Sequence, residues 1–297
     1  MRIKVQSPDQ PEFALYNGRS ETRLYHMFEP EPGLFIAESA KVAERALGAG
    51  YRPVSLLLES GFMLRDEEDC PLLAKLLKEG GSVLKEPAAE LSAGGGQEAS
   101  AEAPPVYEAD PDVLSQIAGC HLTGGLLCAM RRRKLPSADE ILSGISRAAV
   151  LENVVNPTNV GAIVRSAAAM GMDAVLLTGG CADPLYRRAI RVSMGCIFEI
   201  PWTVVPSPDE LFACLKAHGF VTAAMALEKE SVRIDDPRLK KAERLALFLG
   251  NEGDGLPPER IRACDYTVMI PMHHGVDSLN VAAASAVAFW ECRREGS

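Results

Sequence analysis

The chain lacks several features that would assign it to a common class of protein. None of its eight cysteines sits in a CxxC pair, so we predict no zinc site and expect free thiols in a reducing compartment. No apolar run reaches the roughly 20 residues that span a bilayer, and the N-terminus lacks the apolar core of a signal peptide. These absences predict a cytoplasmic protein with neither a membrane nor a metal partner.

Positive charge is also scarce. The net charge of −9 and the pI near 5.2 argue mildly against a nucleic-acid partner, because phosphate contacts need local positive charge. Two basic clusters nevertheless remain, and an acidic protein can still present a basic face. The first consists of Arg131, Arg132, Arg133 and Lys134, and the second of Arg187, Arg188 and Arg191. Contact with nucleic acid is a hypothesis for both clusters. For the first cluster, a strand end exposed to solvent is an equal alternative.

Strands and helices alternate through the first half of the chain, which predicts a small α/β domain at residues 1–134. Residues 86–105 interrupt it with a stretch rich in Ala, Gly, Glu and Pro, which predicts a flexible insertion. A polar connector that holds Pro136 follows, and we predict a linker at 135–146. The second domain is then predicted at 147–297.

The second half alternates more regularly between apolar strands and helices. Continuous runs of Val, Leu and Ile predict a parallel sheet covered on both faces. No GxGxxG motif follows an early strand, which argues against a nucleotide-dependent oxidoreductase. Ligands of open α/β sheets bind at the carboxyl ends of the strands, so the loops at those positions are the candidates for a binding site.

The first of three motifs is NPTNVGAIVRSA, residues 156–167. Asn156 and Pro157 indicate a turn after a buried strand, and Thr158 or Asn159 is predicted to cap the following helix. Arg165 lies in the second turn of that helix among small apolar residues. It either extends its head group into water or reaches an anion in a cleft, where its planar fork suits phosphate.

The second motif is LGNEGDGLP, residues 249–257. Its three glycines allow a tight turn and close approach to a ligand, and its Asn, Glu and Asp supply polar side chains. Two acids would repel a pyrophosphate, so the loop fits a neutral or cationic ligand better. An ordinary loop rich in Gly and Asp is the alternative.

The third motif is IPMHHGVDSLNVAAASA, residues 270–286. Asp277 or Ser278 is predicted to cap the last helix, and Asn280 to lie in its first turn. His273 and His274 are one adjacent pair without a third ligand, so we predict that they are loop residues and not a metal site.

Together these motifs resemble the SpoU/TrmH-type branch of the SPOUT superfamily of RNA methyltransferases. The matching elements are N-x5-R at 159–165, R-x-S-x-G at 191–195, G-N-E-x-x-G at 250–255 and S-L-N-V at 278–281. The resemblance covers about residues 147–297. The first domain, through its FIAES, KVAERAL and GGLLCAM stretches, resembles the L30e-like substrate-binding domain of such enzymes, from which the insertion at 86–105 departs.

The resemblance implies an α/β fold in which a Rossmann-like parallel sheet carries a deep trefoil knot. It implies S-adenosyl-L-methionine as cofactor and a ribose 2′-hydroxyl in ribosomal or transfer RNA as substrate. It also implies a homodimer through the knotted domain, with Arg165 of one subunit facing the cofactor of the other. The alternatives are a non-catalytic RNA-binding module and a base-directed methyltransferase. The S-L-N-V element and the spacing from Asn159 to Arg165 favour ribose.

The resemblance also assigns site residues. The implied catalytic residues are Arg165, Asn159, Glu252, Ser278 and Asn280. The implied cofactor-binding residues are Thr178, Gly179, Gly250, Asn251, Glu252, Ile270, Ser278, Leu279 and Asn280.

Overall fold

Two compact units make up the chain: an N-terminal unit, residues 1–134, and a C-terminal unit, residues 135–297. The computed structural model describes residues 2–5, 7, 10, 13, 15–16, 24–27, 33–65, 67–79, 104–118, 122 and 124–294. Residues 86–103 of the insertion predicted at 86–105 lie outside the described residues. None of the described helices is long and apolar enough to cross a membrane.

The N-terminal unit is built on a mixed five-stranded sheet. Its elements are β1 (Arg2–Val5), β2 (Leu34–Glu38), α1 (Ala40–Gly48), β3 (Arg52–Glu59), α2 (Pro71–Glu79), β4 (Val106–Ala109), α3 (Pro111–Ala118) and β5 (Leu126–Arg131). The strands stand in the order β1-β4-β3-β5-β2. The two pairs that involve β4 are parallel, and the two that involve β5 are antiparallel.

Apolar side chains of the strands and of α3 form the core of the N-terminal unit. The buried Tyr16 hydroxyl donates a hydrogen bond to the Ser55 carbonyl at 2.9 Å, so this polar group is satisfied inside the core. Burial raises the pKa of the Tyr16 phenol, and it raises the pKa of the Cys128 thiol to about 12. Both groups are therefore neutral core residues and not reactive ones.

The C-terminal unit is built on a parallel seven-stranded sheet. Its elements are α4 (Ala138–Leu142), β6 (Arg147–Leu151), α5 (Pro157–Ala169), β7 (Ala174–Thr178), α6 (Arg187–Val192), β8 (Trp202–Val205), α7 (Pro208–Ala217), β9 (Val221–Met225), β10 (Val232–Arg233), α8 (Pro237–Lys241), β11 (Leu245–Leu249), α9 (Pro258–Ala263), β12 (Tyr266–Met269) and α10 (Val281–Cys292). The strands stand in the order β10-β12-β9-β11-β6-β7-β8.

Helices cover both faces of this sheet. Every residue of β6, β7 and β11 is buried, as expected for strands that pack on both sides. On one face Ile141 and Leu142 of α4 pack with Leu211 and Leu215 of α7 against the strands. The predicted α/β class and the parallel Rossmann-like sheet are confirmed.

The structure departs from the sequence predictions in four short elements. Strands β1 and β10 and helix α8 were not predicted, since two to five residues carry too little periodicity to be recognised. Residues 135–146 were predicted as a linker, but they belong to the C-terminal unit and contain α4. Ser137 and Glu140 form a capping box at its start, which is a sequence signal that could have located it.

Candidate active site

The loops that follow β6, β7 and β11 form one edge of the C-terminal sheet. These strands are adjacent and parallel, so their carboxyl ends lie side by side. All three motifs contribute to this edge. The first follows β6 after four residues, the second begins at the end of β11, and the third leads into α10, which packs on α5. This is the edge at which open α/β sheets bind ligands.

A chain of hydrogen bonds joins one residue from each motif. The Asn159 side-chain amide donates to Glu252 Oε1 at 2.9 Å, and the Asn280 side-chain amide donates to Asn159 Oδ1 at 3.2 Å. Asn159 itself is buried in the first turn of α5. The two hydrogen bonds span 93 and 121 positions of the sequence and fix the three residues relative to one another. We call them the Asn159–Glu252–Asn280 chain.

Glu252 is held as a carboxylate. Besides Asn159, the backbone amides of Asn156 and Val155 donate to its two oxygens at 3.1 and 3.4 Å. Partial burial alone would raise the pKa of Glu252, but these hydrogen bonds outweigh it, and the pKa lies below its ordinary range. The site therefore contains a negative charge at neutral pH.

Asparagine side chains cap both helices that lead away from the site. Asn156 Oδ1 accepts from the Thr158 amide at 2.9 Å at the start of α5, and Asn280 Oδ1 accepts from the Ala282 amide at 3.0 Å at the start of α10. The predicted caps were wrong, because α5 begins at Pro157 and α10 begins only at Val281. The Asn280 side chain thus has two functions, since its oxygen caps a helix while its nitrogen binds Asn159.

The loop after β11 is closed on itself. Asn251 and Gly255 exchange two backbone hydrogen bonds of 3.0 Å, and Asn251 Oδ1 accepts from the amides of Gly253 and Asp254. A Cβ on Gly250 would lie 2.3 Å from the Gly255 carbonyl carbon, so only glycine fits there. The side chain of Asn251 therefore organises the loop.

Asn153 connects this loop to the next strand, and the sequence analysis missed it. It has a left-handed backbone with φ of 58°, which Asn adopts more readily than most residues. Its carbonyl accepts from Asn251 Nδ2 at 2.9 Å, and its amide donates to Thr178 Oγ1 at 3.2 Å. Gly180 packs against it, where a Cβ would lie 2.0 Å from Asn153 Oδ1. An Asn two residues after the end of a buried strand was the available signal.

The remaining predicted cofactor residues line the same edge. Thr178 is buried at the end of β7, and Gly179 follows it next to Pro206. Ile270, Ser278 and Leu279 lie in the segment between β12 and α10, and within the described residues Ser278 makes no hydrogen bond. This segment also holds His273 and His274, which are exposed loop residues.

Arg165 stands apart from the Asn159–Glu252–Asn280 chain. It is exposed in the middle of α5, and within the part of the chain that the structure describes it makes no hydrogen bond or ion pair. On α10, which packs against α5, Ala283, Val287 and Trp290 are exposed and lie on one face at helical spacing. Within the described residues Arg165 is therefore not hydrogen-bonded to the other predicted catalytic residues of its own subunit.

The two basic clusters differ in their surroundings. Arg188 Nε donates to Thr158 Oγ1 at 3.0 Å, which places α6 beside the first turn of α5. Gly161 permits this approach, because a Cβ there would lie 2.4 Å from the Ala189 carbonyl oxygen.

In the N-terminal unit, two arginines of the first cluster are engaged by their own unit. The Arg132 and Arg133 side chains donate to backbone carbonyls and cover the rings of Tyr25 and Tyr51. Arg188 of the second cluster borders the candidate active site through its contact with Thr158.

The fold and the site define an α/β protein with a candidate ligand site at the carboxyl edge of a parallel sheet. Similarity to known proteins identifies its family. The model of the SpoU rRNA Methylase family matches residues 146–290. A tRNA/rRNA methyltransferase of Mycobacterium tuberculosis, itself uncharacterized, is 43% identical over 194 residues, which are 65% of this chain and 67% of that protein.

A second relative is RlmB of Acinetobacter baylyi, whose name is 23S rRNA (guanosine-2′-O-)-methyltransferase. It is 31% identical over 196 residues, which are 64% of this chain and 78% of that protein. The chain belongs to the SpoU rRNA methylase family.

A solved structure supports the fold. An AdoMet-bound rRNA methyltransferase from Sinorhizobium meliloti matches 97% of this chain and 96% of its own, with a TM-score of 0.74 and 24% identity. At this level of identity the likeness concerns the fold alone.

Proposed function

We propose that the protein is an S-adenosylmethionine-dependent RNA methyltransferase that methylates a ribose 2′-hydroxyl in ribosomal or transfer RNA. The observation that carries the proposal is the Asn159–Glu252–Asn280 chain, since it links the three motifs at the ligand-binding edge of the sheet. Membership of the SpoU family supports the reaction class. The name of the Acinetobacter relative supports the ribose as the methylated group.

The residues at the sheet edge fit the cofactor. When bound, S-adenosylmethionine supplies an electrophilic methyl group on a positively charged sulfur. The ionised Glu252 and the acidic loop after β11 are compatible with that positive charge, and a phosphate-binding loop is not needed. Gly250 has no side chain, so a ligand can approach the loop backbone closely at this tight turn. The residues proposed to hold the cofactor are Thr178, Gly179, Gly250, Asn251, Ile270, Ser278, Leu279 and Asn280.

Arg165 is proposed to act on the ribose hydroxyl. That hydroxyl is a weak nucleophile and must lose its proton as its oxygen bonds to the methyl carbon. An arginine remains protonated in proteins, so Arg165 is a poor base. We assign it the role of positioning the ribose and stabilising the charge that develops on its oxygen. Its exposed guanidinium has no partner within the described chain and is available for this role.

The position of Arg165 supports a homodimer. Arg165 is exposed and makes no hydrogen bond to Asn159, Glu252 or Asn280 within the described part of its own subunit, and we propose that it serves the site of a second subunit. The exposed apolar face of α10, with Val287 40% and Trp290 54% exposed, is a surface that a second copy would cover. Because α10 returns across α5, we also propose that the last segment is tucked into a trefoil knot.

The N-terminal unit is proposed to be the L30e-like domain that binds the RNA substrate. Its mixed α/β sheet is compatible with that assignment, and Arg187, Arg188 and Arg191 would add phosphate contacts beside the active site. Arg131, Arg132 and Arg133 remain proposed RNA contacts of the N-terminal unit. An enzyme that modifies such RNA would work in the cytoplasm, where we place it.

Calorimetric titration tests the proposal first. We expect micromolar binding of S-adenosylmethionine and of S-adenosylhomocysteine, and no heat with NADH. Binding would then be followed by mapping of 2′-O-methylated riboses in RNA from a deletion strain. Absence of binding by both methionine derivatives would contradict the methyltransferase and leave an RNA-binding module. A methylated base instead of a ribose would assign the base-directed alternative.

Subunit complementation tests the shared site. Arg165→Ala and Ser278→Ala, each nearly inactive alone, would be co-expressed so that mixed dimers form. In a mixed dimer one site carries both defects and the other carries neither, so we expect recovery to about a quarter of the wild-type rate. If the co-expressed mixture is no more active than the single variants, Arg165 acts within its own subunit.

A further inference from the structure

Three side chains that can bind a metal converge between α4 and α7, outside the candidate active site. They are Asp139, Cys214 and His218, and their ligand atoms all lie within 4.8 Å of one another. Asp139 Oδ1 and His218 Nε2 are 2.7 Å apart, although the two residues are separated by 79 positions in the chain. The sequence contains no short motif that could have revealed this group.

The two helices fix the three side chains in place. Cys214 and His218 are four residues apart, so they project from the same face at the carboxyl end of α7. Asp139 lies in the first turn of α4, whose start is held by its capping box. Arg244 donates to the carbonyls of Leu142 and His218, which joins the carboxyl ends of both helices. The ligand atoms therefore meet on a prepared scaffold.

The chemistry of the three groups selects a particular class of ion. Thiolate, imidazole and carboxylate bind Zn²⁺ at about 2.0–2.3 Å, and three such ligands leave a fourth tetrahedral position for water. Neighbouring ligand atoms in such a site are roughly 3.5 Å apart. The Asp139–His218 pair, now 2.7 Å apart, would therefore open by about 1 Å, and any distance to the Cys214 sulfur that approaches the 4.8 Å limit would shorten by about 1 Å. Mg²⁺ and Ca²⁺ prefer sites made of oxygen alone.

The three side chains can be reached by an ion from solvent. The Asp139 side chain is 81% exposed, whereas that of His218 is 19% exposed, so the group opens to solvent on one side. Cys214 would bind as the thiolate, and its proton would be released to solvent when the ion binds.

We propose that Asp139, Cys214 and His218 form a binding site for Zn²⁺ or a similar transition-metal ion. His218 precedes β9, so the site lies toward the amino ends of the strands, away from the Asn159–Glu252–Asn280 chain. The ion would cross-link α4 to α7 and keep a fourth position for water. This proposal replaces the expectation of no metal, which rested on the lack of CxxC pairs.

Cobalt spectroscopy tests the site without any measurement of activity. The untagged, reduced, full-length protein would be titrated with Co²⁺, which absorbs in the near ultraviolet when bound to thiolate and in the visible when tetrahedral. We expect both bands to appear and to be lost when Zn²⁺ is added. Cys214→Ala should abolish the near-ultraviolet band, and His218→Ala should weaken binding more than about tenfold.

Matched variants separate this site from incidental binding. Cys196→Ala and His273→Ala remove the same kinds of ligand elsewhere and should leave the titration unchanged. Asp139→Asn changes an exposed carboxylate, so it should fold normally and still weaken the binding of Co²⁺. A wild-type titration without these bands, or bands that survive in both Cys214→Ala and Asp139→Asn, would refute the site. An increase in Tm with Zn²⁺ in the wild type alone would support it.

Discussion

The two ends of strand β6 make opposite use of their polar residues. At the amino end, the buried Arg147 donates to the carbonyls of Cys292, Ser146, Glu243 and Lys240, so its guanidinium is enclosed by backbone acceptors. At the carboxyl end, Glu252 and Asn280 are linked through hydrogen bonds to Asn159, yet both residues are exposed to solvent. Polar groups at one end hold the fold, and those at the other remain accessible to a ligand.

The largest effect is expected at the amino end. Arg147→Met removes the donor to four backbone carbonyls, including the buried bond to Cys292 at the end of α10. We expect a loss of about 3–4 kcal/mol in the free energy of unfolding. Both tryptophans lie in the C-terminal unit, so their fluorescence during urea unfolding reports this unit.

The control for this change is Arg262→Met, since Arg262 is an exposed arginine of the same unit. It should alter the free energy of unfolding by no more than about 0.5 kcal/mol. If Arg147→Met were equally mild, the amino end would not be the stabilising end of the strand.

Arg165→Ala is expected to lower activity and to leave stability unchanged. An exposed arginine without partners in the described chain contributes little to folding, so the urea midpoint should not move. Under the proposed function, kcat/KM for RNA methylation should fall about 10²–10³-fold. Arg165→Lys keeps the charge but loses the planar fork, and a near wild-type rate in that variant would contradict the positioning role.

The contrast between the two ends also explains how much could be predicted from the sequence. The buried strands and amphipathic helices carry their own periodicity, so the α/β class and the parallel sheet were predicted. The residues that meet in the Asn159–Glu252–Asn280 chain were named through a family resemblance, because their distance in the chain hides the contacts. Asn153 and Arg147 were missed, since their roles depend on backbone groups that tertiary folding brings to them.

Substitution of Asn159, the central residue of the Asn159–Glu252–Asn280 chain, should affect both stability and cofactor binding. Asn159→Ala removes the donor to Glu252 and the acceptor for Asn280, and we expect a loss of about 1–2 kcal/mol in the free energy of unfolding. Binding of S-adenosylmethionine should weaken as well, which calorimetry would measure. Ser166→Ala on the same helix is the control. Unchanged stability and affinity in Asn159→Ala would mean that the three motifs are not coupled.

The smallest effect is expected from the charge on Glu252. Its pKa in the folded protein is depressed below the ordinary value of 4.5, because hydrogen bonds to the carboxylate outweigh partial burial. Its contribution to stability is therefore present above pH 4.5 and is lost as the pH falls through the folded pKa.

Glu252→Gln is the variant that measures this contribution, because it keeps the shape of the side chain and removes the charge. Relative to the wild type it should cost less than about 1 kcal/mol at neutral pH, since the carboxylate is largely exposed and screened by solvent. The difference between the two urea midpoints should shrink as the pH falls below the ordinary carboxyl pKa. If it stays constant or grows on acidification, the carboxylate is not what holds the loop after β11 against α5.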